Sequence, residues 1–243
     1  MAEFKIPTEI VDLPSKGLVY PENSPLSSGK VEMKYMTAKE EDILTNQVYI
    51  EEGTVIDKLL KSLIVSKDIN YDDLIVGDKN AIMVAARVLG YGADYEFFSL
   101  DRVHKVDLSE IENKPIDESF FTTGQNEFEF ELPHSSNKIT FKFLTGYDEK
   151  KIGQELAGLK KLKKDDSPEL TTRLKYMIIS VNGDDEKKTI REFVDKALLA
   201  RDSRALREYV NKIQPDVDLS FFPEGSKIKR SIPININFFW PDA

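Results

Sequence analysis

The chain has no cysteine anywhere in its 243 residues. That excludes disulfides, thiolate nucleophiles and every cysteine-ligated zinc or iron–sulfur site. Histidine is almost as scarce, with His104 and His134 the only two. Neither has a partner at the short spacing that builds a metal site. Positive charge is in deficit: 34 Lys and Arg stand against 43 Asp and Glu, for a net charge of −9. A sequence-independent grip on nucleic acid needs Lys and Arg against phosphates, so this balance argues against one. No apolar run approaches the length of a membrane-spanning helix. The opening stretch from Met1 to Pro7 lacks a basic cluster followed by an apolar segment, so it does not read as a secretory signal. The expected place of action is a cytoplasm.

What is present is material for a core. Hydrophobic residues make up 40% of the chain and 14 of them are Phe, ample for burial at this length. The pattern divides the chain into five segments: an extended arm (1–30), a helical unit (31–92), a β-rich unit (93–146), a second helical unit (147–214), and a β-hairpin with an aromatic tail (215–243). In the arm, Pro7, Pro14, Pro21 and Pro25 interrupt any helix. Phe4, Ile6, Leu13, Val19 and Tyr20 nonetheless make it too apolar for a free tail, so it should lie on its own core or on a partner. A short strand is expected over 31–35. Thr37 and Glu40 form a capping box for a helix through about Asn46, and Thr54 with Asp57 repeats that logic for a helix ending near Ser66. A third helix is expected from Asp78, as N-cap, to Leu89, stopped by Gly90 and Gly92.

The period then changes. Tyr95, Phe97, Val103 and Val106 suggest short strands. Phe128, Phe130 and Leu132 alternate with glutamates, and Ile139, Phe141 and Phe143 alternate after a Ser135-Ser136-Asn137 turn, predicting an antiparallel hairpin with one apolar face. Helical stripes follow at Ile152, Leu156, Leu159 and Leu162, then at Leu170, Leu174, Met177, Ile178 and Val181 behind Ser167 and Pro168. Two more helices carry Ile190, Phe193 and Val194, and, starting at Ser203, Leu206, Val210 and Ile213. Residues 217–222 and 228–232 predict a last hairpin around Pro223-Glu224-Gly225-Ser226. The fold class is α+β: an N-terminal helical unit, a central antiparallel β-hairpin, and a C-terminal helical bundle and β-hairpin.

Chemistry is hard to find in this pattern. Gly90-Tyr91-Gly92 follows a helix and has no third glycine at the spacing a dinucleotide site needs. Asp165-Asp166 and Asp184-Asp185-Glu186 precede helices, where the helix dipole already favours negative charge. Lys160-Lys161-Leu162-Lys163-Lys164 lacks interleaved aromatics and suits a helix end. Neither a catalytic residue nor a cofactor or metal site is expected. The C-terminal Phe238-Phe239-Trp240-Pro241 is unusual, because chain ends are normally polar. It either plugs its own core or inserts into a partner.

Several of these segments, taken in order, carry a resemblance. They are Leu13-Pro14-Ser15-Lys16-Gly17 with Tyr20-Pro21, Gly29-Lys30-Val31-Glu32, Met36-Thr37-Ala38-Lys39-Glu40-Glu41, and Asp73-Leu74 with Gly77-Asp78-Lys79. Arg87, Tyr91-Gly92, Thr145-Gly146-Tyr147-Asp148-Glu149, Ala200-Arg201-Asp202 and the terminal Phe-Phe-Trp-Pro complete the set. The chain resembles the baseplate hub assembly family of T-even-like contractile-tailed bacteriophages. The resemblance implies a non-enzymatic hub component or hub-assembly factor, without a small-molecule cofactor. Its partners would be other baseplate and hub proteins, with no role for nucleic acid or membrane. It would act in the host cytoplasm during assembly and, as a permanent subunit, in the virion tail baseplate. Some relatives carry paired CxxC knuckles near the position of Tyr95–Lys105; with no Cys here, that region must be held by packing. Leu13, Pro14, Lys16, Tyr20, Phe238, Phe239, Trp240 and Pro241 are the candidate partner-binding residues. On that view, removing residues 1–20 or 238–243 leaves a folded core and abolishes incorporation of hub partners. Two other readings stand beside it: a carboxylate- or metal-dependent tail hydrolase using Asp148, Glu149, Asp184 or Asp185, and a host adaptor unrelated to phage.

Overall fold

In the computed structural model, which describes residues 5–99, 101–162, 168–234 and 238–240, the N-terminal segment is extended and paired. Strand β1 (Thr8–Asp12) lies antiparallel to β2 (Lys30–Lys34), with Glu9 opposite Met33 and Val11 opposite Val31. Val31 and Met33 are fully buried while Lys30 and Glu32 face out, the two-residue period of a half-buried strand. Residues 13–29 form a tight loop between the strands. A Cβ on Gly17 would sit 2.3 Å from the Ser27 carbonyl oxygen, and one on Gly29 would sit 2.6 Å from the Lys16 carbonyl carbon. Only glycine fits either place, and both have the positive φ that glycine tolerates.

Helices α1 (Ala38–Leu44), α2 (Gln47–Glu51) and α3 (Val55–Leu63) follow. Glu40 reaches back to the Thr37 N–H at 3.0 Å, as its box position predicts. It also takes Lys34 Nζ at 2.7 Å. The chain departs from expectation after Leu44. Asn46 is not the end of α1 but the cap of the short α2, its Oδ1 accepting from Tyr49 N at 3.2 Å. Thr54 makes no side-chain cap bond to α3, and Asp57 pairs with Lys79 at 3.3 Å instead of closing a second box. The helix stops at Leu63, three residues short of Ser66, because Ile64 turns out to bridge Met33 of β2.

Helix α4 (Val76–Tyr91) begins before the position expected of it. Ile75 is its N-cap, so Asp78 lies inside the first turn, where it is fully buried. Gly90 lies within the helix, with Met36 packed so close that a Cβ would fall 2.7 Å from the Met36 methyl carbon. Gly77 allows a closer approach still, since its Cβ would fall 1.8 Å from the Pro215 carbonyl oxygen.

Strands β3 (Asp94–Ser99) and β4 (Arg102–Asp107) make one hairpin. Strands β5 (Phe128–Glu131) and β6 (Lys138–Phe141) make the next, as the alternation predicted. The residues expected to extend a helix, Ile178 and Val181, instead form β7 (Ile178–Val181) on the open edge of β6. The β-branched Ile178-Ile179-Ser180-Val181 run favours a strand, and pairing Val181 with Ile139 supplies the burial that decides it. Helices α5 (Gly146–Leu162), α6 (Glu169–Met177), α7 (Lys187–Lys196) and α8 (Ala200–Ile213) complete the second half. Pro168 is the N-cap of α6, not its first helical residue; Ser167, Lys163, Lys164, Asp165 and Asp166 lie outside the described residues. Helix α8 starts three residues ahead of Ser203. Asp202 in its first turn accepts the His134 and Ser135 N–H groups at 2.9 and 3.0 Å, tying the β5–β6 turn to the helix. The last hairpin is shorter than expected, with β8 (Ser220–Phe221) opposite β9 (Arg230–Ser231).

The architecture is mixed α+β, with eight helices and four small antiparallel sheets among the described residues. Buried side chains from Leu13 to Phe239 form one hydrophobic cluster that draws on every segment of the chain. No helix among the described residues is long and apolar enough to cross a membrane.

A buried polar joint holds the 13–29 loop to α4. Asp78 Oδ1 accepts the Ser15 N–H at 2.9 Å, and Oδ2 accepts the Ser15 hydroxyl at 2.7 Å and the Tyr20 hydroxyl at 2.6 Å. Tyr20 Oη in turn accepts the Ile75 N–H at 3.0 Å. Burial raises the Asp78 carboxyl above the ordinary aspartate range, with the Tyr20 and Ser15 donors pulling the other way. Asp78→Asn turns an amide NH2 toward these donors, so it should cost about 1–3 kcal/mol in urea unfolding. A raised folded-state pKa stabilises the fold at low pH, and that contribution is lost as pH rises through the folded value. The gap between wild type and D78N should therefore narrow as pH climbs above the usual aspartate range, a trend that chemical denaturation across pH will check.

Candidate interaction surface

The residues proposed from sequence for partner binding are distributed unevenly between core and surface. Leu13, Pro14 and Tyr20 are buried in this chain's own core. Lys16 is exposed and pairs with Glu118 at 2.6 Å. Phe238 and Phe239 are buried, and Phe238 packs edge-on against Tyr95 with ring centroids 5.1 Å apart. The Tyr95 hydroxyl donates to the Pro233 carbonyl at 2.8 Å, fixing the chain as it approaches that plug. Trp240 is half-buried against the same cluster, and Pro241 lies outside the described residues. The two apolar ends thus complete the monomer's core, and apart from Lys16 and part of Trp240 the described candidates offer a partner little surface.

The large exposed apolar side chains lie elsewhere. On the β3–β4 hairpin, Phe98 and Val103 sit directly opposite one another and are 67% and 60% exposed. On the β8–β9 hairpin, Phe222 and Ile228 are 61% and 63% exposed. The two hairpins are joined. Phe221 packs on Phe97 and His104 at centroid distances of 5.0 and 4.9 Å, and the Arg102 guanidinium donates to the Glu224 carbonyl at 3.0 Å. Strand parity explains Phe97 and Phe98, whose neighbouring side chains point to opposite faces of β3; Phe222, just past the end of β8, is exposed where Phe221 packs inward. Those two doublets were the available sequence signal, and reading strands only for their inward positions misses it.

Three of the four carboxylates of the hydrolase reading, Asp148, Glu149 and Asp184, are engaged in holding the fold. Asp148 caps α5 by accepting the Thr145 N–H at 3.0 Å and pairs with Lys142 at 2.8 Å. Glu149 pairs with Arg173 at 2.6 Å. Asp184 accepts the Glu186 N–H at 2.8 Å and the Thr189 hydroxyl at 2.9 Å, closing the turn before α7. Asp148 and Asp185 do line a common cleft of about 740 Å³, but Asp184 and Glu149 are not in its wall. The cleft's other groups are mostly paired: Arg191 binds Glu155 through both carboxylate oxygens, at 2.8 and 2.6 Å, and Lys175 pairs with Asp195 at 2.7 Å. Among the described residues no three His, Asp or Glu side chains are placed to hold a metal ion. His104 lies in the aromatic joint just described, its Nε2 3.0 Å from the Ser99 carbonyl oxygen, and His134 belongs to the turn held by Asp202. Compared with protein-family models, curated proteins and solved structures, the chain has no match.

Burial of the ends changes what truncation should do. Removing residues 1–20 takes away β1 and Ser15 and Tyr20, the two residues that donate to Asp78, so the remainder should lose cooperative unfolding instead of persisting as a folded core. Phe238→Ala should cost about 3–5 kcal/mol, whereas Trp240→Ala should cost clearly less. Thermal melts followed by circular dichroism will separate the two.

Proposed function

We propose that this chain is a non-enzymatic protein of a contractile phage tail baseplate, a hub component or hub-assembly factor that works through protein–protein contacts. The observation that carries the contact role is the exposure of the Phe98–Val103 pair on one hairpin and of Phe222 and Ile228 on the hairpin joined to it. Exposed aromatic and aliphatic clusters of this kind mark interaction sites, because water-facing apolar area is retained where a partner covers it. The phage assignment draws on the ordered resemblance through the chain. The engagement of Asp148, Glu149 and Asp184 in caps and ion pairs favours this reading over the hydrolase. Its partners would be other baseplate and hub proteins, and the host adaptor reading keeps the same surface with different partners.

Phe98→Ser combined with Phe222→Ser removes apolar surface without opening the core, so stability should stay within about 0.5 kcal/mol of wild type. In phage-infected cells the double variant should no longer pull down tail proteins that the wild type captures. Equal capture by both would remove this surface from the account. Capture of host proteins alone would favour the adaptor.

A further inference from the structure

A second site lies along β1. The Leu13 N–H bonds the Gly29 carbonyl at 2.8 Å and the Tyr35 N–H bonds the Pro7 carbonyl at 3.1 Å, so the odd-numbered residues of β1 face β2. Antiparallel pairing then turns the N–H and C=O of Thr8, Ile10 and Asp12 away from β2. The far edge of β2 is already covered, with Val65 N–H on the Glu32 carbonyl at 3.0 Å. The outer edge of β1 is open at Ile10: among the described residues, the backbone N–H and C=O of Ile10 have no hydrogen-bond partner.

That edge borders a groove of about 330 Å³ whose opposite wall is α4. Asn113 closes one end, its amide reaching the outward Asp12 carbonyl at 3.4 Å, which places the open strand edge on the groove. Val84 and Val88 give the α4 wall its apolar character, while Ala81 and Ala85, one helical turn apart on one face, leave room above the helix. Among the described residues, the charged ones in the wall are Glu9 and Asp12, both acidic. Asp12 is partly offset by Lys30 at 2.7 Å.

We propose that this groove binds an extended segment of a partner protein as an added strand on β1. The segment would carry apolar side chains at alternate positions and Lys or Arg between or beside them. The open backbone edge supplies the main-chain bonds, the alanine-lined groove takes every second side chain, and the acidic rim selects the charge. This goes beyond the baseplate reading and stands without it, since nothing in it uses the hairpin-tip surface.

Ile10→Pro tests it cleanly. The Ile10 N–H points away from β2, so proline leaves the β1–β2 ladder intact while removing the outward donor and placing its ring on the open edge. The probes are a short synthetic peptide alternating Val with Lys and its counterpart alternating Val with Glu, titrated into the full chain by fluorescence polarisation. The Lys peptide should bind saturably and at least about tenfold tighter than the Glu peptide, with I10P weakening it by a similar factor and by clearly more than I10A, which keeps the outward N–H. Ala85→Leu, which fills the groove without touching the strand, should weaken binding comparably and decides the matter if I10P lowers the melting temperature. No saturable binding, equal affinity for both peptides, or indifference to I10P and A85L would overturn the proposal. So would a concentration-dependent dimer, seen by sedimentation and abolished by I10P, which would assign the edge to a second copy of this chain.

Discussion

Asp78 brings together parts of the chain that sequence order keeps far apart. Its carboxylate takes the Ser15 N–H, the Ser15 hydroxyl and the Tyr20 hydroxyl, and Tyr20 passes the link on to the Ile75 N–H. All of these groups are buried, where an unmet donor or acceptor costs far more than a made bond returns. The 13–29 loop therefore has one place to lie. Once it is there, Leu13, Val19 and Leu26 enter the common core, and β1 is set against β2. The far end reaches the same cluster through Tyr95, Phe238 and Phe239. What looks like two apolar ends available for partners is the closing of one core from both directions.

This closure also gives physical content to the segments on which the phage resemblance rests. Ser15 and Tyr20 belong to one of them, Asp78 to another. Thr145 and Asp148, from a third, make the cap of α5, and the Leu144 carbonyl accepts the Val76 N–H where the second half meets α4. Asp202, from a fourth, holds the β5–β6 turn. Gly17, Gly29 and Gly77 stand where backbone from another segment leaves no space for a Cβ. These residues are joints of the architecture, and the surfaces available for contact lie away from them, on hairpin tips and an open strand edge.

Much of this was legible in the sequence where the signal is local. The period-two hairpin of β5 and β6, the Thr37–Glu40 box and the α7 and α8 stripes depend on neighbours a few residues away, and they form as expected. Misreadings occurred where distant packing outweighed local preference. Asp78 has the composition of an N-cap, but a loop some sixty positions upstream claims its carboxylate. Ile178 to Val181 continue a helical stripe on paper, yet the open edge of β6 draws them into a strand. The exposed surface was hidden for a different reason. In the sequence, Phe97 carries weight but not its neighbour Phe98, which strand parity turns outward, nor Phe222, which follows Phe221 at the end of β8.

Native-state hydrogen exchange of the free chain bears most directly on the claim that the N-terminal loop is part of the core. If that claim holds, the amides of Leu13 and Ser15 exchange only through global unfolding, with the same free energy as the slowest amides of α4. Fast exchange at Leu13 and Ser15 while α4 remains protected would mean the loop peels away by itself, and the account of a core closed from both ends would be wrong.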